Sequence, residues 1–491
     1  MYLALRMLMT MGINLYATRL VLQNLGIEDM GVYNVVGGIV SMLAVFTGSL
    51  TSTINRFLAF ELGKPDGDVN RVFCACMNTI LIFAGVTLLL LEAIGVWILE
   101  TKLNIPPESM NAARWVFQFS TITCLVSMIS IPYNALIIAH EKMNVFAFFT
   151  VFQVILNCLA AFSLSWFENN RLIYYSLFMS LIAILFRIIY QVYCRVKFKE
   201  SRFRFVKDWS LLKEIGKFSG IMMIDGIIVM LFYQGFALML NVFCGVAING
   251  VYMIAGQIRT SIISFAQNVQ KAIEPPIIKA YSAKDYKHFS SLICLGSKYQ
   301  LFLATIIFIP FFFRHEQILG IWLKNVPPLT NEYSLIMVGL SAIYAFQCPI
   351  ITGALSTGKI RDFLLKTDLI YVLGIPLIYF IRKSNNSPIL MIVSFVIIET
   401  LIASSRVYFF SKISPIKIGN IIKNTIFPFF LVLTISVVAL FPFNDSFSSD
   451  SLGLVYMVSL SLLIVLLSIY VLGLKKEEKR VVKDKIIRLF R

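Results

Sequence analysis

Two ionisable residues lie deep inside long apolar runs of the sequence, where charge is costly. Arg259 and Glu399 each stand about twelve residues from the more basic end of their run, which is about 18 Å along a helix. An ionised side chain at that depth needs a partner or a water-filled cavity, so each is a functional candidate. A guanidinium holds phosphate oxygens through parallel hydrogen bonds, and a buried carboxylate can exchange a proton or bind sodium.

Three further charged residues extend this set. Arg19 and Arg56 would add cations if a cavity reaches them, although both lie close enough to a span end for their side chains to reach water. Asp225 would add a second acid. We expect Arg259, with Arg19 and Arg56, to bind an anionic group, and Glu399 or Asp225 to couple an ion. The alternative is a structural ion pair of Arg259 with Glu399 or Asp225.

The composition indicates what must position these residues. Of the 491 residues, 58% are hydrophobic and 14% charged, and the mean hydropathy is +0.81. Soluble proteins carry about 25% charged residues, so this balance excludes a soluble enzyme, a disordered chain and a nucleic-acid-binding domain. The sequence predicts an all-α polytopic membrane protein, because apolar runs of about 20 residues cross a bilayer as helices.

Fourteen apolar runs are candidates for transmembrane helices. They cover approximately residues 2–23, 32–60, 72–99, 114–138, 145–167, 172–195, 217–241, 246–270, 298–313, 333–356, 364–381, 388–411, 425–442 and 452–474. Connections after even-numbered spans, with the C-terminal tail, carry about thirty Lys and Arg, against about seven after odd-numbered spans. Basic connections stay in the cytoplasm, so we expect both termini there.

The sequence repeats internally at a shift of 219 residues. Gly31–Asp66 aligns without a gap with Gly250–Asp285, eight of the 36 pairs are identical, and Gly26 falls on Gly245. The shift maps span 2 onto span 8, so both copies cross the membrane in the same direction. We expect two pseudo-symmetric six-helix lobes around a central cavity, with two C-terminal helices added.

The repeat and the charge pattern divide the chain into five parts. These are an N-terminal lobe at 1–196, a basic cytoplasmic linker at 197–216, a C-terminal lobe at 217–411, two helices at 412–474 and a basic cytoplasmic tail at 475–491. In the tail, Val482, Ile486 and Leu489 follow an i, i+4, i+7 pattern. This pattern is compatible with a helix lying on anionic lipids. The alternative is a solvated tail.

The residues offer no enzyme chemistry. The three histidines, His140, His288 and His315, stand far apart and without ligand spacing, and the eight cysteines are scattered. No predicted external connection is large enough to build an active site. We expect no catalytic residues, no metal and no cofactor.

Three segments resemble a known family. LYATRLVLQNLGIEDMGVYNVVGGIV at 15–40, RFLAFELGK at 56–64 and GQIRTSIISFAQNVQKAIEPPIIKAY at 256–281 are similar to bacterial polysaccharide-export and O-antigen flippases of the multidrug/oligosaccharidyl-lipid/polysaccharide (MOP) superfamily. The resemblance implies a protein of the bacterial inner membrane that serves polysaccharide or lipopolysaccharide synthesis. Its substrate would be an undecaprenyl-pyrophosphate-linked oligosaccharide, moved to the external leaflet by alternating access.

The resemblance also implies partners and an alternative. The partners would be the lipid-linked oligosaccharide, membrane lipids and polysaccharide polymerase machinery, with no nucleic acid. The alternative is a proton- or sodium-coupled exporter of small molecules. Drug exporters of this superfamily commonly use acidic residues in the N-terminal lobe, whereas this chain has no Asp or Glu from Met1 to Asn24. That departure favours the flippase.

Overall fold

The computed structural model describes residues 2–41, 44–101, 105, 107–204, 208–323, 325–384, 387–443 and 451–480. Over these residues the chain folds into α-helices joined by short turns, as a bilayer requires because helices satisfy their own backbone hydrogen bonds. The helices are α1 (Tyr2–Ser41), α2 (Ala44–Leu62), α3 (Val69–Leu90), α4 (Val96–Thr101), α5 (Pro107–Ala139), α6 (Met143–Ser163), α7 (Arg171–Lys197), α8 (Trp209–Ser282), α9 (Tyr286–Leu323), α10 (Thr330–Ser356), α11 (Ile360–Ser384), α12 (Pro388–Ile413), α13 (Ile418–Ile421), α14 (Phe427–Leu440) and α15 (Ser451–Ser468).

Eleven helical segments of the described chain are long and apolar enough to cross a membrane. They coincide with eleven of the fourteen predicted spans, which confirms the all-helical membrane fold. The other three predicted spans, 2–23, 32–60 and 246–270, are helical as well but are not among the eleven. The total of fourteen therefore stays a prediction.

The second half of α8 is less apolar than its neighbours for a visible reason. Between residues 256 and 270 it carries five polar or charged side chains with amide or guanidinium groups, which are Gln257, Arg259, Gln267, Asn268 and Gln270. Such groups lower the mean hydropathy of a helix and need polar partners or water when they lie at membrane depth. Arg259 thus lies on a stretch of α8 that is rich in polar side chains.

The internal repeat has a structural counterpart in two kinks. α1 breaks at Gly26, with φ 78° and ψ 177°, and α8 breaks at Gly245, with φ 85° and ψ 171°. This backbone conformation is open essentially to glycine alone. The shift of 219 residues pairs these two glycines, so both copies of the repeat turn from one helix into the next in the same way.

The repeated helices also make equivalent aromatic contacts. Tyr33 and Tyr252 are paired by the same shift. The Tyr33 ring lies 5.1 Å from that of Tyr175 on α7, and the Tyr252 ring lies 6.4 Å from that of Phe395 on α12. Since α7 and α12 correspond to predicted spans 6 and 12, the parallel repeat extends to the packing of its helices.

The chain separates into two compact units. The first unit comprises Met1–Ile227 and Tyr281–Lys284, and the second comprises Ile228–Ala280 and Asp285–Arg491. The core of the first is built by α1, α5, α6 and α7, and that of the second by α8, α10, α11 and α12. The predicted division of the chain into five parts stays a prediction. The apolar positions of the predicted surface helix in the tail, Val482, Ile486 and Leu489, lie outside the described residues.

Candidate functional site

Three polar side chains of the second unit form a connected cluster. Arg259 Nη2 on α8 donates to the hydroxyl oxygen of Tyr233 at 2.8 Å, and this hydroxyl donates to Glu399 Oε1 on α12. The guanidinium and the carboxylate are 3.8 Å apart at their nearest atoms, too far for a direct hydrogen bond. Both side chains are more than nine-tenths buried. A phenol thus links a buried cation to a buried anion.

Aromatic rings fix the position of the phenol. The ring of Tyr233 lies 5.7 Å from that of Phe232 and 5.6 Å from that of Phe395, distances at which ring pairs attract each other. The guanidinium carbon of Arg259 lies 5.0 Å from the Tyr233 ring centroid, within the range of a cation–π contact. Tyr233 therefore holds Arg259 through both its hydroxyl and its ring.

The guanidinium keeps unused hydrogen-bonding capacity beside a recess. The Nε of Arg259 is buried and makes no hydrogen bond to any described residue, although an unsatisfied buried donor is costly. Arg259, Tyr233 and Tyr252 line a recess of about 520 Å³, together with Gln257 and Thr260. A cation with a free N–H, next to phenol rings and small polar groups, is suited to an anion that carries hydroxylated or apolar groups.

Arg56 occupies a different environment, in the first unit. It is 6% exposed, and its guanidinium carbon lies 4.5 Å, 4.9 Å and 5.2 Å from the ring centroids of Phe57, Phe60 and Phe218. Cation–π contacts of this kind stabilise a buried guanidinium. The role of Arg56 in anion binding stays a prediction, and its immediate surroundings are those of a cation held by aromatic rings.

Arg19 and Asp225 also belong to the first unit. Arg19 lies on α1 with an exposed side chain, and Asp225 lies on the first part of α8 with a half-buried one. Of the five residues proposed from the sequence, the structure thus brings Arg259 and Glu399 into one cluster and distributes the other three over the first unit. Among the described residues, no group of three or more His, Cys, Asp or Glu is placed to hold a metal ion.

The linking role of Tyr233 was not visible in the sequence. Tyr233, Tyr33 and Tyr252 are candidates for stacking on sugar rings because of their position in predicted spans. The structure gives the Tyr233 hydroxyl two charged partners, 26 and 166 residues away. No spacing rule connects a residue before the Gly245 kink to one after it, since the kink sets how the two halves of α8 face each other.

Solved structures of MATE and MOP superfamily proteins share the fold of this chain. The chain is similar to an outward-facing multidrug resistance MATE family transporter of the MOP superfamily, with a TM-score of 0.71, 12% identity, and coverage of 84% of this chain and 95% of that one. It is also similar to a MATE protein in the bent conformation, with a TM-score of 0.71, 12% identity, and coverage of 86% and 94%.

A third similar structure is a MOP superfamily transporter from Pyrococcus furiosus Vc1, whose reversed binding-pocket polarity is said to suggest a different function. Its TM-score is 0.68 at 13% identity, with coverage of 84% of this chain and 94% of that one. At such identities the likeness establishes the fold alone. The fold is that of transporters, and these coverages extend it over most of the chain.

Sequence comparison identifies the family of the chain. No curated protein is significantly similar to the chain in sequence. The sequence profile of the family described as polysaccharide biosynthesis protein matches residues 1–279, which is more than half of the 491 residues. The matched region contains both glycine kinks and Arg259. The chain belongs to the polysaccharide biosynthesis protein family, a family of MOP superfamily membrane transporters.

Proposed function

We propose that the protein is a flippase for an undecaprenyl-pyrophosphate-linked oligosaccharide. It moves this lipid from the cytoplasmic to the external leaflet during synthesis of a cell-surface polysaccharide. Membership of the polysaccharide biosynthesis family supports the substrate class, and the fold supports transport. The observation that carries the proposal is the buried guanidinium of Arg259, whose Nε is unpaired beside a recess of about 520 Å³.

The pyrophosphate is the part of the substrate that Arg259 recognises. Phosphate oxygens accept hydrogen bonds from guanidinium N–H groups in a planar, two-point arrangement. Tyr233 holds one edge of the guanidinium, so the remaining donors are already oriented when the anion arrives. This preorganisation reduces the entropy lost on binding.

Glu399 is the acid that couples the binding of the anion to an ion in this proposal. The carboxylate lies 3.8 Å from the guanidinium and would repel a pyrophosphate bound at the same place. An ion that neutralises this carboxylate removes that repulsion and leaves Arg259 without a counter-charge, which the substrate then supplies. Binding of the ion and binding of the substrate therefore favour each other, and this coupling is reciprocal.

The same observations favour one second candidate, a proton- or sodium-coupled exporter of small molecules. Multidrug resistance MATE transporters have the same fold, and Glu399 is a buried acid on α12. An anionic lipid fits the site better, because the cation at the recess attracts anions and repels the cationic drugs that an acid would bind. The absence of Asp and Glu from Met1 to Asn24 points the same way.

The proposal includes a location and partners. The protein resides in the bacterial cytoplasmic membrane with both termini in the cytoplasm, because the basic connections follow the even-numbered spans. Its cargo reaches the external leaflet, where polysaccharide polymerase machinery would use it. The remaining partners are membrane lipids.

Reconstituted vesicles test the proposal. A fluorescent undecaprenyl-pyrophosphate oligosaccharide is placed in one leaflet, and its appearance in the other is followed with protein, without protein, and with pH or sodium gradients. Protein-dependent transfer that responds to a pH gradient supports the flippase and the role of Glu399. Movement of cationic drugs down an ion gradient, with no transfer of several such lipids, supports the exporter instead.

A further inference from the structure

A second cationic recess lies far from Arg259 in the sequence and has no place in the transport proposal. It belongs to the first unit, has a volume of about 430 Å³, and is lined by Asn70, Lys199, Arg202 and Arg204. Three of these four residues are cations with exposed side chains. They follow α7, in the connection that the charge pattern predicts to be cytoplasmic.

Hydrogen bonds hold the backbone of this connection against α3. Asn70 Nδ2 at the start of α3 donates to the carbonyl oxygens of Glu200 at 2.7 Å and of Arg202 at 2.8 Å. The backbone N–H of Arg204 donates to the sulfur of Cys74 at 3.2 Å. These bonds hold the backbone from Glu200 to Arg204, which carries the two arginine side chains, against α3.

An aromatic contact anchors the connection at its other end. The Phe198 ring is 7% exposed and stacks on the His140 ring, with centroids 4.1 Å apart and planes 7° from parallel. Phe198 immediately precedes Lys199, so the contact fixes the entry to the recess. Ser201 closes the turn, because its hydroxyl donates to the carbonyl oxygen of Phe198 at 2.9 Å.

The acidic residues of the connection interact with residues other than its three cations. Glu200 Oε1 lies 2.6 Å from His140 Nε2, and Asp208 Oδ2 accepts from Arg71 Nε at 2.8 Å. The side chains of Lys199, Arg202 and Arg204 make no ion pair or hydrogen bond with the part of the chain that the structure describes. Three positive charges thus converge on one recess without a counter-charge of their own.

We propose that the recess of Lys199, Arg202 and Arg204 binds a phosphate group. Two guanidinium groups and an ammonium supply charge-assisted donors of the kind that phosphate oxygens accept, and the Asn70 side chain adds a polar wall. Basic pockets at the cytoplasmic ends of membrane helices bind anionic lipid headgroups in this way. A soluble phosphate compound would offer the same chemistry. The site does not depend on which substrate the protein transports.

Native mass spectrometry of the detergent-solubilised full chain tests the site with two probes, dioleoylphosphatidate and inorganic pyrophosphate. The site variant is Lys199→Gln/Arg202→Gln/Arg204→Gln. The matched control is Arg195→Gln/Lys197→Gln/Lys213→Gln, which removes the same charge from exposed residues outside the recess. We expect the site variant to retain about tenfold less of at least one probe, and the control to bind like the parent.

The two probes separate the sources of phosphate. Loss of phosphatidate alone assigns the recess to a lipid headgroup, and loss of pyrophosphate alone assigns it to a soluble phosphate compound. Loss of both assigns it to the phosphate group from either source. Equal losses in the site variant and the control, or no loss in either, would overturn the proposal. An unchanged thermal unfolding midpoint of the site variant shows that folding is not the cause.

Discussion

Arg259 and Glu399 lie 3.8 Å apart, with the hydroxyl of Tyr233 accepting from one and donating to the other. In a buried ion pair with direct hydrogen bonds, the donors of the cation are already paired with the oxygens of the anion. Here the guanidinium instead shares a neutral partner with the carboxylate and keeps an unpaired Nε. In the proposed function, an incoming anion would take the place of the carboxylate beside this guanidinium.

Removal of the Tyr233 hydroxyl should weaken both stability and transport. Tyr233→Phe keeps the ring but takes two hydrogen bonds from charged groups, each worth about 1.5–3 kcal/mol. We expect unfolding free energy to fall by about 2 kcal/mol and transfer in the vesicle assay to fall about tenfold. Tyr252→Phe is the control, since its ring lines the same recess; it should change unfolding by less than about 0.5 kcal/mol. Equal effects of the two substitutions would contradict the linking role.

The two glycine kinks should not tolerate a side chain. Gly26→Ala and Gly245→Ala each place a Cβ on a residue with positive φ, which costs about 1–3 kcal/mol through backbone strain alone. The ideal Cβ meets no atom within 4 Å at either position, so crowding does not enter. Gly250→Ala, in regular helix five residues further on, should be neutral or slightly stabilising. Thermal unfolding of the three variants measures the difference, and a stable Gly245→Ala protein would refute it.

A second buried ion pair holds the C-terminal segment to α9 in the second unit. Lys298 is 1% exposed, and its Nζ lies 2.8 Å and 2.7 Å from the two carboxylate oxygens of Glu478. Lys298→Met alone leaves the largely buried carboxylate of Glu478 without its cation and should cost about 3 kcal/mol, whereas Lys298→Met/Glu478→Leu should recover most of that loss. Chemical unfolding of both single variants and the double variant gives the coupling. Strictly additive losses would show that the pair does not interact.

Low pH should weaken the ion pair between Arg71 on α3 and Asp208, which immediately precedes α8. The Arg71 guanidinium, by its hydrogen bonds to Asp208, lowers the pKa of that carboxyl below its usual range. A lowered folded-state pKa stabilises the fold above the ordinary value of about 3.9, and the contribution is lost as pH falls through the folded value. The difference in melting temperature between the parent and Asp208→Asn should be constant from about pH 6 to 8 and shrink below about pH 4. A difference that grows with acid would be inconsistent with this pair.

The sequence predicts the fold better than the partners within the site. The pairing of Gly26 with Gly245 follows from the repeat alone, because both copies need the same backbone turn. The depth of Arg259 and Glu399 follows from span lengths. The sequence does not predict that Tyr233 is the common partner of Arg259 and Glu399. Whether Tyr233 faces them depends on the rotation of α8 about its kink and on the contact of its ring with Phe395. The cationic recess likewise depends on a side chain 130 residues away, Asn70.

The most direct test of the central claim uses the Arg259→Ala variant in reconstituted vesicles. The measurement is the rate at which a fluorescent undecaprenyl-pyrophosphate oligosaccharide moves from one leaflet to the other. We expect Arg259→Ala to lose at least about tenfold in rate and Arg259→Lys to recover part of it, because an ammonium keeps the charge but not the two-point geometry. Arg259→Ala/Glu399→Gln, which leaves no unpaired buried charge, should fold like the parent and still fail to transport. Transfer by the folded double variant at the parental rate would contradict the claim that Arg259 binds the pyrophosphate.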